Sequence, residues 1–283
     1  MICVDMDGRL GNEMFQYASG RAIAVRQGLR FAYARHRHSL EDAFDLPGGR
    51  LGNTILRLAS IPLRRTRFYK VCKPKMRTMI PGYEFETFDE TLFSCGPFAR
   101  IIGYLETPEY IAGMEDQVRS WFRFRDVHQR RVREIEGSLA LPPELRCCVH
   151  VRRTDLLGIR YPIAHLTDGL ALPIGYYAAA LARVPEEVGI VVNGDEVDFV
   201  RPLLSARPFV HYSRDEGAPV DMALMGICRW NVISNSTFAW WSAWLNARPD
   251  RRLIGPRYFR GWHVRQWEMP GLAVEDWDWI DWR

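Results

Sequence analysis

Two stretches of this chain carry residue types whose spacing could grip a pyrophosphate. The first is His150-Val151-Arg152-Arg153-Thr154-Asp155, which continues the apolar run Cys147–Val151. Alternation along a strand sends Arg152 and Arg153 to opposite sides, so one of them should face a ligand. A guanidinium stays charged and offers a planar fork that fits two phosphate oxygens at once. Asp155 stands where it can hold one guanidinium in place. An ion-pair cluster capping a strand would use the same residues. The second stretch is Asn231–Asn246, NVISNSTFAWWSAWLN. It reads as a short strand, a polar corner at Ser234-Asn235-Ser236-Thr237, and an aromatic helix beginning near Phe238. The first amides of a helix lack partners and the helix dipole adds positive potential, so such a corner suits an anion. Ordinary helix capping would also select these residues. If both strands belong to one parallel sheet, both corners open on the edge where ligands gather. Together they suit a nucleotide diphosphate.

Other residues extend or compete with this reading. Asp221 opens a helix after Pro219 and is either a helix-start carboxylate or an acceptor for guanine N1–H and its amino group. Gly8-Arg9-Leu10-Gly11-Asn12 is a glycine-bearing turn with no Walker lysine, so it suits close approach of backbone and Asn12 to a substrate better than phosphate binding. Asp5-Met6-Asp7 has the DxD spacing of metal-dependent transferases, but its two acids fall within and at the end of one strand, which disfavours a shared metal. Trp240, Trp241 and Trp244 read as core. His36 and His38 read as solvated. The tail Glu275–Trp282, with Trp277, Trp279 and Trp282, should pack back onto the body.

These residues need a scaffold, and the apolar pattern supplies one. Ile2–Met6 reads as a strand, Glu13–Gln27 as a helix with one apolar face, and Leu29–Ala34 as the next strand. From Arg146 onward the alternation is regular. Strands are expected at Cys147–Val151, Gly189–Val192, Phe209–Tyr212, Asn231–Ser234 and, last, Arg252–Ile254. Helices are expected at Gly175–Val184, Glu196–Leu204, Asp221–Cys228 and Ser236–Asn246. This is the pattern of a doubly wound parallel α/β sheet. Pro142-Pro143 marks a boundary between an N-terminal domain, 1–143, and a C-terminal domain, 144–283. Two Rossmann-like domains facing a central cleft follow as the natural architecture.

Composition narrows the function classes. The 283 residues are 47% hydrophobic and 25% charged, which is enough for a real core. A net charge of +4 does not suggest a nucleic-acid binder. No apolar run reaches the roughly 18 residues of a membrane span, and MICVDMDGRL lacks a basic n-region, so no secretory signal is expected. The six cysteines show no zinc spacing and read as thiols of a reducing cytoplasm. Arg64–Arg77 holds seven basic residues in fourteen. It is either a solvated face or a patch for anionic headgroups or glycan, which would make the protein peripheral to a membrane.

Three blocks carry a resemblance: GRLGNEMFQYA at Gly8–Ala18, HVRRTD at His150–Asp155, and DMALMGICRWNVISNSTFAWWSAWLN at Asp221–Asn246. In this order they resemble the bacterial α-1,2-fucosyltransferases of glycosyltransferase family 11, and more distantly the α-1,6- and protein O-fucosyltransferases. The resemblance implies a GT-B-type fold, GDP-fucose as donor substrate, no cofactor or metal, and inverting transfer. The acceptor would be a galactose-containing oligosaccharide or a lipid-linked glycan. It implies that Arg152 binds the diphosphate with Arg153 in support, that His150 lines the nucleotide pocket, and that Asp221 reads guanine. Asn235, Ser236, Thr237 and Phe238 would supply hydroxyl and backbone contacts. Gly11 and Asn12 would sit across the cleft. Glu13, Asp7 and Asp155 are candidate general bases. Another GDP-sugar, or non-catalytic nucleotide or glycan binding, are the competing readings. The chain departs from the family pattern at Glu13, Thr154, Arg160, Trp230 and Asn193-Gly194-Asp195, which touches linkage and acceptor more than donor.

Overall fold

The computed structural model describes residues 1–34, 39–48, 52–55, 58, 69–80, 83–139, 141–159, 169–214, 216–267 and 270–283. His36, His38, Arg160 and the first part of Arg64–Arg77 lie outside them. The chain forms two compact units, Met1–Thr78 with Glu84–Arg125, and Met79–Tyr83 with Asp126–Arg283.

In the first unit, β1 (Ile2–Asp5), α1 (Leu10–Arg26) and β2 (Phe31–Ala34) form the expected βαβ start. A short helix α2 (Ser39–Ala43) follows. Strand β3 (Lys70–Cys72), the two-stranded pair β4 (Met76–Ile80) and β5 (Tyr83–Glu86), and β6 (Ala99–Ile102) come from the stretch whose pattern is irregular in sequence. The main sheet has the order β2-β1-β6-β3, all parallel. Ile2 and Val4 of β1 and Ile101 of β6 pack against Ile23 and Ala24 of α1 in its core. The helix α3 (Glu115–Trp121) buries Val118 and Trp121.

The second unit begins with α4 (Asp126–Ser138), ahead of the boundary expected at Pro142-Pro143. Two ion pairs tie it there: Arg131 with Glu216 at 2.6 Å, and Glu136 with Arg146 at 2.6 Å. Its elements are β7 (Arg146–Val151), α5 (Ile174–Leu181), β8 (Gly189–Gly194), β9 (Val210–Tyr212), α6 (Ala218–Gly226), β10 (Trp230–Val232), α7 (Thr237–Leu245), β11 (Arg252–Pro256) and β12 (Asp278–Ile280). The sheet order is β12-β11-β10-β7-β8-β9, with every pair parallel. Counted within the unit, this is the order 6-5-4-1-2-3 of a dinucleotide-binding fold, and its switch point lies between β7 and β10.

Every residue of β7 is buried, as a central strand covered on both faces requires. Cys147, Val149 and Val151 pack with Tyr176, Tyr177 and Ala180 of α5 in one core. Cys148 and His150 therefore belong to the opposite face. Two expectations need correction. Residues Val197–Leu203 form a 3-10 helix, not an α-helix, because Pro202 inside it cannot donate to the α pattern. Arg252–Pro256 is not the last strand, since β12 in the tail pairs with it. Trp277 is buried in that tail, and Trp240, Trp241 and Trp244 are core.

One glycine is fixed by its surroundings. Gly194 ends β8 at φ +120°, and a Cβ there would lie 1.9 Å from the Val151 carbonyl oxygen. Gly194→Ala combines strain with a backbone clash and should cost on the order of 3 kcal/mol or more. Chemical denaturation with a midpoint equal to wild type would contradict this.

Candidate active site

The two corners meet through a histidine. His150, at the end of β7, hydrogen-bonds through Nδ1 with the Ser234 hydroxyl at 2.9 Å, and Ser234 follows β10. The His150 ring also lies 5.3 Å from the Phe238 ring of α7. Burial pushes the imidazole down to about 4, with nearby Asp195 opposing that shift. His150 is therefore neutral at physiological pH and acts as a wall and hydrogen-bonding group, not as a cation. Its bridge spans the switch point of the sheet.

The start of α7 keeps its hydroxyl unspent. Ser236 is the N-cap residue in extended conformation, yet its side chain makes no capping bond. The first intrahelical bond comes from the Trp240 amide to the Ser236 carbonyl at 2.9 Å. The amides of Thr237, Phe238 and Ala239 precede it at the positive end of a nine-residue helix. Thr237 is buried and Phe238 half-buried. Asn235 is fully buried, and its side chain donates to the Leu170 carbonyl at 2.8 Å. That bond uses its Nδ2 to hold the corner in shape, while its buried Oδ1 has no hydrogen-bond partner among the described residues.

The two arginines part in the turn after β7. Arg153 stacks over Phe199, 3.6 Å from the ring centroid, and bonds the Leu172 carbonyl at 2.9 Å and Glu196 at 3.1 Å. Its guanidinium is engaged on the α5 side, so its place is a brace behind the loop. Arg152 is paired with Asp155 at 2.7 Å and with Asp195 at 3.1 Å. Both arms of its fork are thereby oriented.

Asp195, which the sequence did not single out, organises the candidate site. Its carboxylate accepts from the Arg153 amide at 2.8 Å and the Thr154 hydroxyl at 2.7 Å as well as from Arg152. One side chain thus fixes the whole 152–154 turn. The signal was an acid directly after a strand-ending glycine. Asp195→Ala should leave Arg152 and the 152–154 turn disordered, and a crystal structure of the variant with that turn unchanged would contradict it.

Asp221 lies in the first turn of α6. Its Oδ1 accepts from the Ser213 hydroxyl at 2.6 Å, and its backbone carbonyl accepts from Asn193 at 2.8 Å. Asn193 is the register neighbour of His150 across β7 and β8. Burial pushes the Asp221 carboxyl up to about 6, with the Ser213 bond opposing. A half-buried acid in this position, next to the ends of β8 and β9, can bind a donor pair on a base.

The first unit holds its own candidates. Gly8 at φ +87° tucks over Asn12, where a Cβ would meet the Asn12 amide nitrogen at 2.8 Å. Gly11 is buried and Asn12 half-buried in the first turn of α1. Glu13 is buried and accepts from the Ser39 hydroxyl and the Leu40 amide, so it caps α2. Both bonds fall on its Oε2. Asp5 takes a bidentate pair from Arg100, whereas Asp7 accepts from the Gly8 amide at 2.7 Å. Among the described residues no cluster of three His, Cys, Asp or Glu could hold a metal ion.

Fold and site define a GT-B-type α/β protein whose second unit has the switch point of a nucleotide-binding sheet. The chain belongs to glycosyl transferase family 11, whose model matches residues 1–258. It is 24% identical to an alpha-1,2-colitosyltransferase of Escherichia coli over 264 residues, 87% of each chain. It is 36% identical to the O-antigen biosynthesis glycosyltransferase WbnK of Escherichia coli over 120 residues, 40% of this chain and 39% of that protein. Galactoside alpha-(1,2)-fucosyltransferase 1 of Plecturocebus brunneus is 27% identical over 84% of this chain, a match spanning 63% of that protein. Among solved structures, POFUT1 in complex with GDP gives a TM-score of 0.56 at 13% identity, covering 88% of this chain and 96% of that one. Fucosyltransferase NodZ from Bradyrhizobium gives 0.52 at 11% identity, covering 86% and 91%. At these identities the structural likeness is one of fold.

Proposed function

We propose that the protein transfers L-fucose from GDP-fucose to O2 of a galactose-type glycan, with inversion. The observation that carries this reading is the His150–Ser234 bridge at the switch point, in a member of family 11. It joins the arginine turn after β7 to the amide-bearing start of α7. Guanine would lie against Asp221 and His150, and the diphosphate between Arg152 and the Ser236–Phe238 amides.

In the reaction an acceptor hydroxyl attacks C1 of fucose. The C1–O bond to the β-phosphate breaks, and GDP keeps the electron pair. Charge grows on the β-phosphate oxygen as the sugar takes on oxocarbenium character. Arg152 and the α7 amides are oriented before that charge appears, which is the condition for electrostatic stabilisation of a transition state. The proton of the attacking hydroxyl needs an acceptor. Glu13, Asp7 and Asp155 are the carboxylates to test, each already engaged through at least one oxygen. Gly11 and Asn12 belong to the acceptor side of this reading.

Two arrangements replace a metal in this scheme: the Arg152 fork, and the helix start. Asp5 is occupied by Arg100. Turnover should be undiminished in excess chelator, and restoration of lost activity by a divalent cation would contradict the scheme. The colitosyltransferase likeness over most of both chains favours a second donor reading, a different deoxysugar. Incubation with GDP-fucose and a panel of galactosides, followed by NMR assignment of the product linkage, separates these. A fucosyl-(α1→2)-galactoside product supports the proposal, and hydrolysis or silence with every acceptor contradicts it.

A further inference from the structure

The positive charge of this chain is concentrated in one segment that the proposed transfer does not use. Nine of its 38 Lys and Arg residues, and none of its 34 Asp and Glu residues, lie between positions 46 and 83. Without that segment the chain would be net acidic. Within its described part, Lys70, Lys73, Lys75 and Arg77 are all exposed on β3, β4 and the turn joining them. Lys75 pairs with Asp89 at 3.2 Å and buried Pro74 anchors the turn, so the segment has a fixed base. The same segment carries apolar side chains that fail to bury. Val71 is 55% exposed and Met76 50%, and Ile55 and Leu58 are each 57% exposed. These four are among the nine exposed large apolar side chains of the described residues.

Lysines on an edge strand are one way to block unwanted strand pairing, and β3 is the edge of its sheet. That device explains Lys70 but not the exposed Val71 and Met76 beside it. A soluble polyanion would be held by the cations alone and would leave the apolar groups in water. Cations alternating with apolar side chains match a surface whose outside is anionic and whose first few ångströms inward are hydrocarbon.

We infer that the Lys70–Arg77 edge docks edge-on against an anionic lipid bilayer. Alternation sends Lys70 and Val71, and likewise Met76 and Arg77, to opposite sides of their strands, and only an edge presents both sides to one surface. Lys70, Lys73 and Arg77 lie at the headgroups, and Val71 and Met76 are inserted. The attachment is peripheral; no helix among the described residues is long and apolar enough to cross a membrane. Docking here would bring the enzyme to acceptors that are themselves anchored in lipid, and it stands whether or not the donor is GDP-fucose.

The test is co-sedimentation of the full chain with vesicles of phosphatidylcholine alone, and of phosphatidylcholine with about one-third phosphatidylglycerol. Binding should appear only with the anionic vesicles and should fall steeply as salt rises. The triple variant K70E/K73E/R77E should bind at least about tenfold more weakly, because each cation contributes separately near a charged surface. V71S/M76S should weaken binding while keeping its salt dependence. Both variants should bind GDP like wild type, which reports that they are folded. Equal binding of wild type to neutral and anionic vesicles, no binding to either, or retention by heparin without vesicle binding would each overturn the inference. So would normal vesicle binding by a folded triple variant.

Discussion

Arg152→Ala should lower kcat by roughly 10²–10³-fold or more, the loss seen when one preorganised charge-stabilising donor is removed. The guanidinium is held by Asp155 at 2.7 Å and Asp195 at 3.1 Å, so it does not reorganise when charge develops on the leaving diphosphate. The fold should survive the substitution. Arg152 is a turn residue after β7, and Asp195 keeps the Arg153 amide and the Thr154 hydroxyl as partners. Arg152→Lys should recover little, because an ammonium cannot satisfy both carboxylates and a phosphate with one planar fork. Arg153→Ala should behave differently. It removes a brace against Phe199 and Glu196, so it should lower thermal stability more than Arg152→Ala does. Near-normal single-turnover rates in Arg152→Ala would contradict the diphosphate assignment.

Asp221→Asn should weaken GDP binding by about 10- to 100-fold, since hydrogen bonds to a charged acceptor are the stronger kind. It should also erase the preference for GDP over ADP. In the proposed complex the carboxylate accepts from two adjacent donors on guanine, a pair adenine does not present. The pH dependence follows from the position of this group. Its folded carboxyl titrates near 6, raised by burial, against an ordinary value near 4 in the unfolded chain. Only the deprotonated form accepts both guanine protons, so wild-type GDP affinity should fall about tenfold per pH unit below 6. Asp221→Asn should show no such slope. Stability runs the other way. The folded state binds this proton more tightly, so the contribution favours the fold below about pH 4 and is lost as pH rises to 6. At neutral pH the variant should therefore be at least as stable as wild type, and Ser213 can still donate to the amide oxygen. Titration calorimetry from pH 5 to 8 checks these outcomes, and an unchanged slope in Asp221→Asn would contradict them.

The sequence made the second unit readable because its strands are buried on both faces. CCVHV and GIVVN are apolar runs bounded by turn residues, and no helical stripe fits their length. The order of the sheet was not readable. Which strand neighbours β7 is decided by crossover connections, and nothing local in Asn231–Val232 says that it lies beside Cys148. Strand β12 escaped because Asp278-Trp279-Ile280 is three residues long and sits among acids and tryptophans. Its pairing with β11 is a tertiary outcome. The start of the second unit escaped for a similar reason. Helix α4 is very polar on its surface, and its allegiance is set by Arg131–Glu216 and Glu136–Arg146, pairs that no window of sequence contains.

At the site, residue types were legible and side-chain commitments were not. His150, Ser236 and Asp221 stand out as candidates because each ends a strand or begins a helix. Asn235 and Glu13 look equally available in sequence, yet each bonds a distant backbone group, Leu170 and Leu40, through one of its polar atoms. Asp195 was passed over because Asn193-Gly194-Asp195 was read as a departure from a pattern. Its value lies in three donors that arrive from the turn after β7.

A crystal structure of the protein with GDP tests the central claim most directly. The account places the diphosphate between the Arg152 guanidinium and the amides of Thr237 and Phe238, with guanine on Asp221. Phosphate density remote from Arg152, or a base stacked away from Asp221 and His150, would contradict it.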